Sequence, residues 1–252
     1  VDSKDNNGAN DTAEGDAADA RRGPARKRLH PQSSRNWNLT VREAIQLQKQ
    51  LAGRVRVEPL RGDVRYICGA DVSILGTKSQ LIAGVVLWDL HDRSVVEQAV
   101  VRADTDFPYV PGLLSFREAP AVLAAFQKLH SRPQAAMFDG QGYAHPRRFG
   151  LACHLGVLLD IPSIGCAKSR LIGTHREPGK ARGRWSDLLD GDEVIGAVLR
   201  TRDSVRPLYV SVGHRADLPG SIELVLRCAI RYRLPEPTRL AHQLVTAEKA
   251  RV

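Results

Sequence analysis

From Leu39 the apolar residues Val41, Ala44, Ile45, Leu47 and Leu51 recur at helical spacing, which predicts an amphipathic helix. Thr40 and Glu43 in front of it have the spacing of a capping box. Three strand-like runs follow, "RYICGADVSIL", "QLIAGVVLWDL" and "SVVEQAVVRA". The links "GTKS" and "HDR" between them are hairpin length, so the runs predict an antiparallel three-stranded meander. The pattern then alternates. "APAVLAAFQKLH" predicts a helix with Pro120 near its start, "QAAMFDG" a short strand, "RRFGLACHLGVLLD" a helix and "IPSIGCAKS" a strand. "DEVIGAVLRTR" and "PLYVSVGHR" predict two further strands, and "LPGSIELVLRCAIR" and "PEPTRLAHQLVTAEKAR" two helices. A meander followed by helix–strand alternation predicts an α/β fold, a mixed sheet flanked by helices.

Residues 1–36 break from this pattern. They hold no aromatic residue; the first twenty carry six acids against one lysine, and residues 21–35 carry six Lys and Arg and no acid. A segment this polar cannot bury enough surface to fold, so a disordered charged tail is expected there. Its basic block is either a nonspecific nucleic-acid contact or a solvated linker.

Charge points the same way for the whole chain. The 37 Lys and Arg exceed the 28 Asp and Glu by +9, and nucleic acid is the first partner this implies, through release of phosphate counterions. Cys68, Cys153, Cys166 and Cys228 form no C-x-x-C pair and predict buried, reduced thiols in a cytoplasmic protein. No apolar run reaches membrane-spanning length and no signal-peptide pattern opens the chain, so no membrane association is expected.

Three carboxylates stand out. Asp71 lies mid-strand in an apolar run, where a charge is costly unless paired or metal-bound. Glu118 lies at a helix entry and Asp139 at a strand end, before Gly140. Each of these two has an ordinary alternative: Ser115-x-x-Glu118 has capping-box spacing, and Asp-Gly is good turn chemistry. Converging carboxylates repel one another unless a cation neutralises them, and an all-oxygen set favours Mg²⁺, with Mn²⁺ as a substitute. Basic residues flank these positions: His145, Arg147 and Arg148 in "AHPRRFG", Lys168 and Arg170 in "CAKSRL", His214 and Arg215 in "VGHRAD". Ligands of α/β sheets gather at strand ends. In "FPYVPGLLSFREAP", Pro108 and Pro111 stiffen the chain on both sides of Tyr109.

"GADVSI", "PYVPGLLSFRE", "DGQGYAHPRRFGLACHLGVLLDIPSIGCAKSRLIG", "VIGAVLRTR" and "YVSVGHR" together resemble endonuclease V, in order from about Leu39 to Leu240. The resemblance implies a ribonuclease H-like fold, with residues 37–252 as one catalytic domain. Asp71, Glu118 and Asp139 match the family's metal-binding carboxylates, and Lys168 and His214 its basic residues around the scissile phosphate. Pro108, Tyr109, Val110 and Pro111 match a strand-separating wedge. Leu114, Gly140, Gly142, His145, Arg147, Arg148 and Arg170 would face the substrate. The implied reaction is Mg²⁺-dependent hydrolysis of the second phosphodiester bond 3′ to deoxyinosine in DNA by a monomer, leaving a 3′-hydroxyl and a 5′-phosphate. Inosine in RNA is the nearest rival substrate. A noncatalytic nucleic-acid-binding module is a rival of another class, but would be expected to lack one of the carboxylates. A phosphate-cradling ATPase built on "DGQG" lacks the G-x-x-x-x-G-K-[ST] pattern.

Overall fold

The structure, a computed structural model, describes residues 37–76 and 79–251, so the expected tail lies outside the described residues. Helix α1 (Val41–Ala52) opens with the anticipated capping box: the Thr40 hydroxyl accepts from the Glu43 N–H and the Glu43 carboxylate accepts from the Thr40 N–H at 2.8 Å. Strands β1 (Tyr66–Leu75), β2 (Gln80–Asp89) and β3 (Ser94–Asp104) form the antiparallel meander. Helix α2 (Leu114–Gln127), β4 (Ala135–Phe138), α3 (Leu151–Leu159) and β5 (Ser163–Ala167) then alternate, and β1, β4 and β5 run parallel. Strands β6 (Trp185–Asp190), β7 (Glu193–Leu199) and β8 (Leu208–His214) are antiparallel additions, and α4 (Leu218–Cys228) and α5 (Glu236–Lys249) close the chain. The sheet has eight strands in the order β3-β2-β1-β4-β5-β8-β7-β6.

Strand alternation divides the core. Cys68, Ala70 and Phe138 pack under α2 and α3, while Ile67, Met137 and Ile164 face the side of α4. On that second face α5 lies directly on β1 and β2. A Cβ at Gly69 would stand 2.1 Å from the Pro237 carbonyl, and one at Gly84 2.6 Å from Val245. Gly69→Ala is therefore expected to cost about 2 kcal/mol by overpacking, read as a lower urea midpoint with an unchanged slope. All four cysteines are buried free thiols. Among the described residues no helix is long and apolar enough to cross a membrane.

Two element boundaries differ from expectation, and one strand was not anticipated. Helix α2 begins at Leu114, so Pro120 lies well inside it. The early start is driven by burial, since Leu113 and Phe116 pack with Ala44 and Phe107. Helix α3 begins only at Leu151, because Gly142 and Gly150 hold 141–150 as a tightly folded loop against β8 and itself. Strand β6 escaped notice because "WSDLLD" is a largely exposed edge strand with one buried residue, Leu188.

Candidate active site

The parallel register sets Ala70 beside Phe138, so Asp71 and Asp139 are the next residues along neighbouring strands. Helix α2 brings Glu118 to the same place. All three border one small cavity of about 70 Å³, with Leu114 and Leu151 among its walls. The capping-box alternative for Glu118 does not hold. Ser115 is the second residue of α2, and its hydroxyl pairs with His154 Nδ1 at 2.9 Å. Burial, followed by the charges of Asp71 and Asp139, pushes the Glu118 carboxyl up to about 8. Burial also raises Asp71; a hydrogen bond from His242 opposes that rise and the Asp139 charge adds to it.

Two basic side chains answer these carboxylates. The Lys168 ammonium, just beyond β5, forms an ion pair with Asp139. Arg233 fixes the Lys168 backbone, donating to its carbonyl at 2.8 Å and to the Pro207 carbonyl at 2.7 Å. His242 on α5 places Nδ1 2.9 Å from Asp71 Oδ2. Sequence reasoning missed His242 and Arg233. His242 stands on an otherwise ordinary amphipathic helix, and only the close seating of α5 over Gly69 and Gly84 delivers it to Asp71.

His214 was expected in this place and is not there. Strand β8 runs antiparallel to β5, pairing His214 with Ser163, whereas Lys168 leaves the opposite end of β5. Five residues of strand, roughly 16 Å, separate the two ends. His214 is buried, accepts the Arg56 N–H on Nδ1 at 3.2 Å, and has Nε2 3.5 Å from Asp160. It pins the segment before β1 to the sheet. Arg215 lies at the same far end, paired with Glu58 and Asp160.

A larger cavity of about 390 Å³ adjoins the first, and Asp139, Leu114 and Leu151 line both. Tyr109, Val110 and Pro111 form one rim, Gly140 and His145 stand within, and Arg170 and Leu171 line it from the segment after β5. Tyr109 is 71% exposed, and Pro108 and Pro111 beside it are exposed too. The loop is rigid for a reason the prolines alone do not give. Gly112, at φ +78°, offers its carbonyl to Gln48 Nε2 at 3.0 Å, Arg147 Nη2 at 2.8 Å and His145 Nε2 at 3.0 Å. His145 Nδ1 accepts the Arg147 N–H, so the ring proton sits on Nε2 and donates to Gly112. Burial, then Arg147 and Arg148, push His145 down to about 4, keeping it neutral.

This arrangement corrects three substrate-facing expectations. Arg147 buttresses the loop of Tyr109 through the Gly112 carbonyl, with Gln48 as its other partner. Arg148 is spent on Glu193 at 2.6 Å and Asp190 at 2.7 Å. Gly142 is a packing glycine: a Cβ there would stand 2.1 Å from the Val212 carbonyl. The neighbouring Gln141 does line the larger cavity, donating to the Ser169 carbonyl at 2.9 Å, and its buried Oε1 has no hydrogen-bond partner among the described residues.

The sequence model of Endonuclease V matches residues 49–243. An Endonuclease V of Methanothrix thermoacetophila is 49% identical over 217 residues, covering 86% of this chain and 95% of that protein. The solved Endonuclease V of Streptomyces avermitilis is 41% identical, covers 86% of this chain and 97% of its own, and superimposes with a TM-score of 0.82. An Endonuclease V of Ciona intestinalis, solved with a 23mer DNA containing an inosine followed by a ribo-adenosine, is 26% identical, with coverage of 84% and 99% and a TM-score of 0.74. The mixed sheet is the ribonuclease H-like fold of these structures. Agreement of sequence and architecture over most of its length shows that the chain belongs to the endonuclease V family, a family of nucleases.

Proposed function

We propose that the protein is a metal-dependent repair endonuclease that takes deoxyinosine from DNA into the larger cavity and hydrolyses the second phosphodiester bond on its 3′ side. The observation that carries this reading is the pair of adjoining cavities meeting at Asp139, one with room for a base and one ringed by carboxylates. Among the described residues no three acidic, His or Cys side chains already close into a cage. The donor set nevertheless fits a hard cation, since Asp71, Glu118 and Asp139 offer only oxygen and repel one another without one. Bound there, Mg²⁺ or Mn²⁺ would accept phosphate oxygens and make water a better nucleophile. Lys168, already drawn to Asp139, is placed to neutralise charge on the scissile phosphate. His242 orients Asp71. Inosine pairs poorly and is cheaper to extrude than an undamaged base, and Tyr109 on its braced loop would fill the vacated stack. The reading extends to a monomer in the cytoplasm.

The Ciona relative's ligand carries a ribonucleotide after the inosine, which keeps inosine in RNA as a second reading. Matched inosine-containing DNA and RNA strands, cut with Mg²⁺ and sized at nucleotide resolution, decide between them. Cleavage of the DNA one nucleotide beyond inosine, leaving a 5′-phosphate, is expected; cleavage of RNA alone moves the assignment, and no cleavage of either ends it.

Tyr109→Ala should weaken binding to inosine duplex by about 1–3 kcal/mol of lost stacking and leave undamaged duplex unaffected. Tyr109→Phe should retain most of the affinity. Because the ring is exposed, the melting temperature should not move. Equal losses on both duplexes would make Tyr109 a general contact instead.

A further inference from the structure

Segment 168–184, "KSRLIGTHREPGKARGR", leaves β5 at the active site and returns as β6. It carries Lys168, Arg170, Arg176, Lys180, Arg182 and Arg184 against a single acid, Glu177. That acid is already neutralised from inside. Buried Arg200 holds the Glu177 carboxylate at 2.6 Å, and the same guanidinium donates to the Pro178 carbonyl at 3.0 Å and the Gly179 carbonyl at 3.2 Å. The backbone is fixed along its length. Thr174 and Leu189 exchange N–H···O bonds at 2.6 and 2.8 Å, the Ser204 N–H donates to Lys180 at 2.8 Å, and the Gly183 N–H donates to Arg200 at 2.8 Å. Arg182 is spent on the Leu226 carbonyl at 2.7 Å. Arg170, Arg176, Lys180 and Arg184 are exposed, and among the described residues their side chains have no hydrogen-bond or ion-pair partner.

A backbone already immobilised adds little to the ordering cost when its free cations meet an anion, which leaves only their side chains to be ordered. They would gain affinity by displacing condensed counterions from a phosphate chain. The segment also starts where such a chain must pass. Its first residue is paired with Asp139, and Arg170 and Leu171 line the base-sized cavity. We propose that residues 168–184 are a phosphate-tracking strap that holds the sugar-phosphate backbone flanking the lesion, without regard to sequence. Arg200 is its positioning residue, because it both shapes the strap and removes its one negative charge. The inference rests on the nuclease reading and adds where the flanking nucleic acid lies.

The test compares two triple variants of equal charge. Arg176→Gln, Lys180→Gln and Arg184→Gln remove strap cations. Arg61→Gln, Arg93→Gln and Arg132→Gln remove cations near the starts of β1 and β4, at the other end of the sheet. Binding to inosine and undamaged duplexes is measured against salt in Ca²⁺, cleavage is mapped in Mg²⁺, and a melting curve checks each fold. The strap variant should show a salt slope shallower by about 2–3, at roughly 0.9 per lost phosphate contact, and about 10–100-fold weaker binding to both duplexes. Its cut position should be that of the unmodified protein, and the other variant should keep the original slope. An unchanged slope in the strap variant, or an equal change in both, overturns the strap. If the unmodified protein cuts no inosine substrate, the nuclease reading fails separately, and the salt slopes still decide the strap.

Discussion

Replacing Asp139 or Asp71 by asparagine should lower single-turnover cleavage of inosine DNA by about 10⁴-fold or more, about 5 kcal/mol of transition-state stabilisation. Asparagine keeps the shape and removes the charge. At Asp139 the change also frees Lys168 from its ion pair, so the ammonium loses its fixed position. At Asp71 it leaves His242 a neutral amide oxygen in place of the charged acceptor it now holds. Affinity for the duplex should stay within a few fold, because phosphate contacts carry most of it and these carboxylates supply none. Binding is read by fluorescence anisotropy in Ca²⁺, whose looser coordination should permit docking without efficient cutting, and rates are read by quench-flow in Mg²⁺. Full activity in EDTA, or in either variant, would remove the carboxylate–metal basis of the site.

How far the site could be read in advance depended on whether a residue's environment is local. Asp71 was legible because its neighbours on both sides in sequence are apolar and lie within a strand. A charge there needs a partner wherever the chain goes next. Asp139 was legible as a strand end. Glu118 was ambiguous, since the same spacing also fits a helix cap, and only the placement of the α2 start at Leu114 removed that alternative.

Residues whose role depends on strand direction or helix seating were not legible. His214 and Lys168 each follow a strand-like run, and the pattern of that run is the same whichever way it is threaded. The antiparallel pairing of β5 and β8 sends them to opposite ends of the sheet. His242 owes its position to two glycines more than 150 residues before it. Arg147 and Arg148 were expected to face the substrate, but the hydrogen bonds that occupy them come from Gly112, Gln48, Asp190 and Glu193, all distant in sequence. The meander, by contrast, was predicted correctly because hairpin-length links leave few other topologies.

Glu118→Gln should make the metal-free protein more stable at pH 8 while abolishing cleavage. The carboxyl is pushed up to about 8 in the fold from an ordinary 4.5. Between these values the native state binds more protons than the unfolded chain, so stability falls as pH rises. The contribution is fully present below about pH 4.5 and lost by about pH 8. Glutamine cannot ionise and escapes this loss. At pH 8 in EDTA the gain should be on the order of 3 kcal/mol, below the full value of the shift because the site can relax. At pH 4 the two proteins should unfold at nearly the same urea concentration. Added Mg²⁺ should narrow the gap at pH 8, since a cation between the carboxylates stabilises the ionised glutamate and has less to hold in the variant. Urea titrations at both pH values, with EDTA and with Mg²⁺, separate these effects. A variant less stable than the parent at pH 8 in EDTA would mean that Glu118 is a well-partnered structural carboxylate, not a ligand waiting for its ion. The predicted sign follows from where the three acids sit. They are held together by the sheet register and the α2 packing, against their own repulsion, in the arrangement a hard cation would relieve.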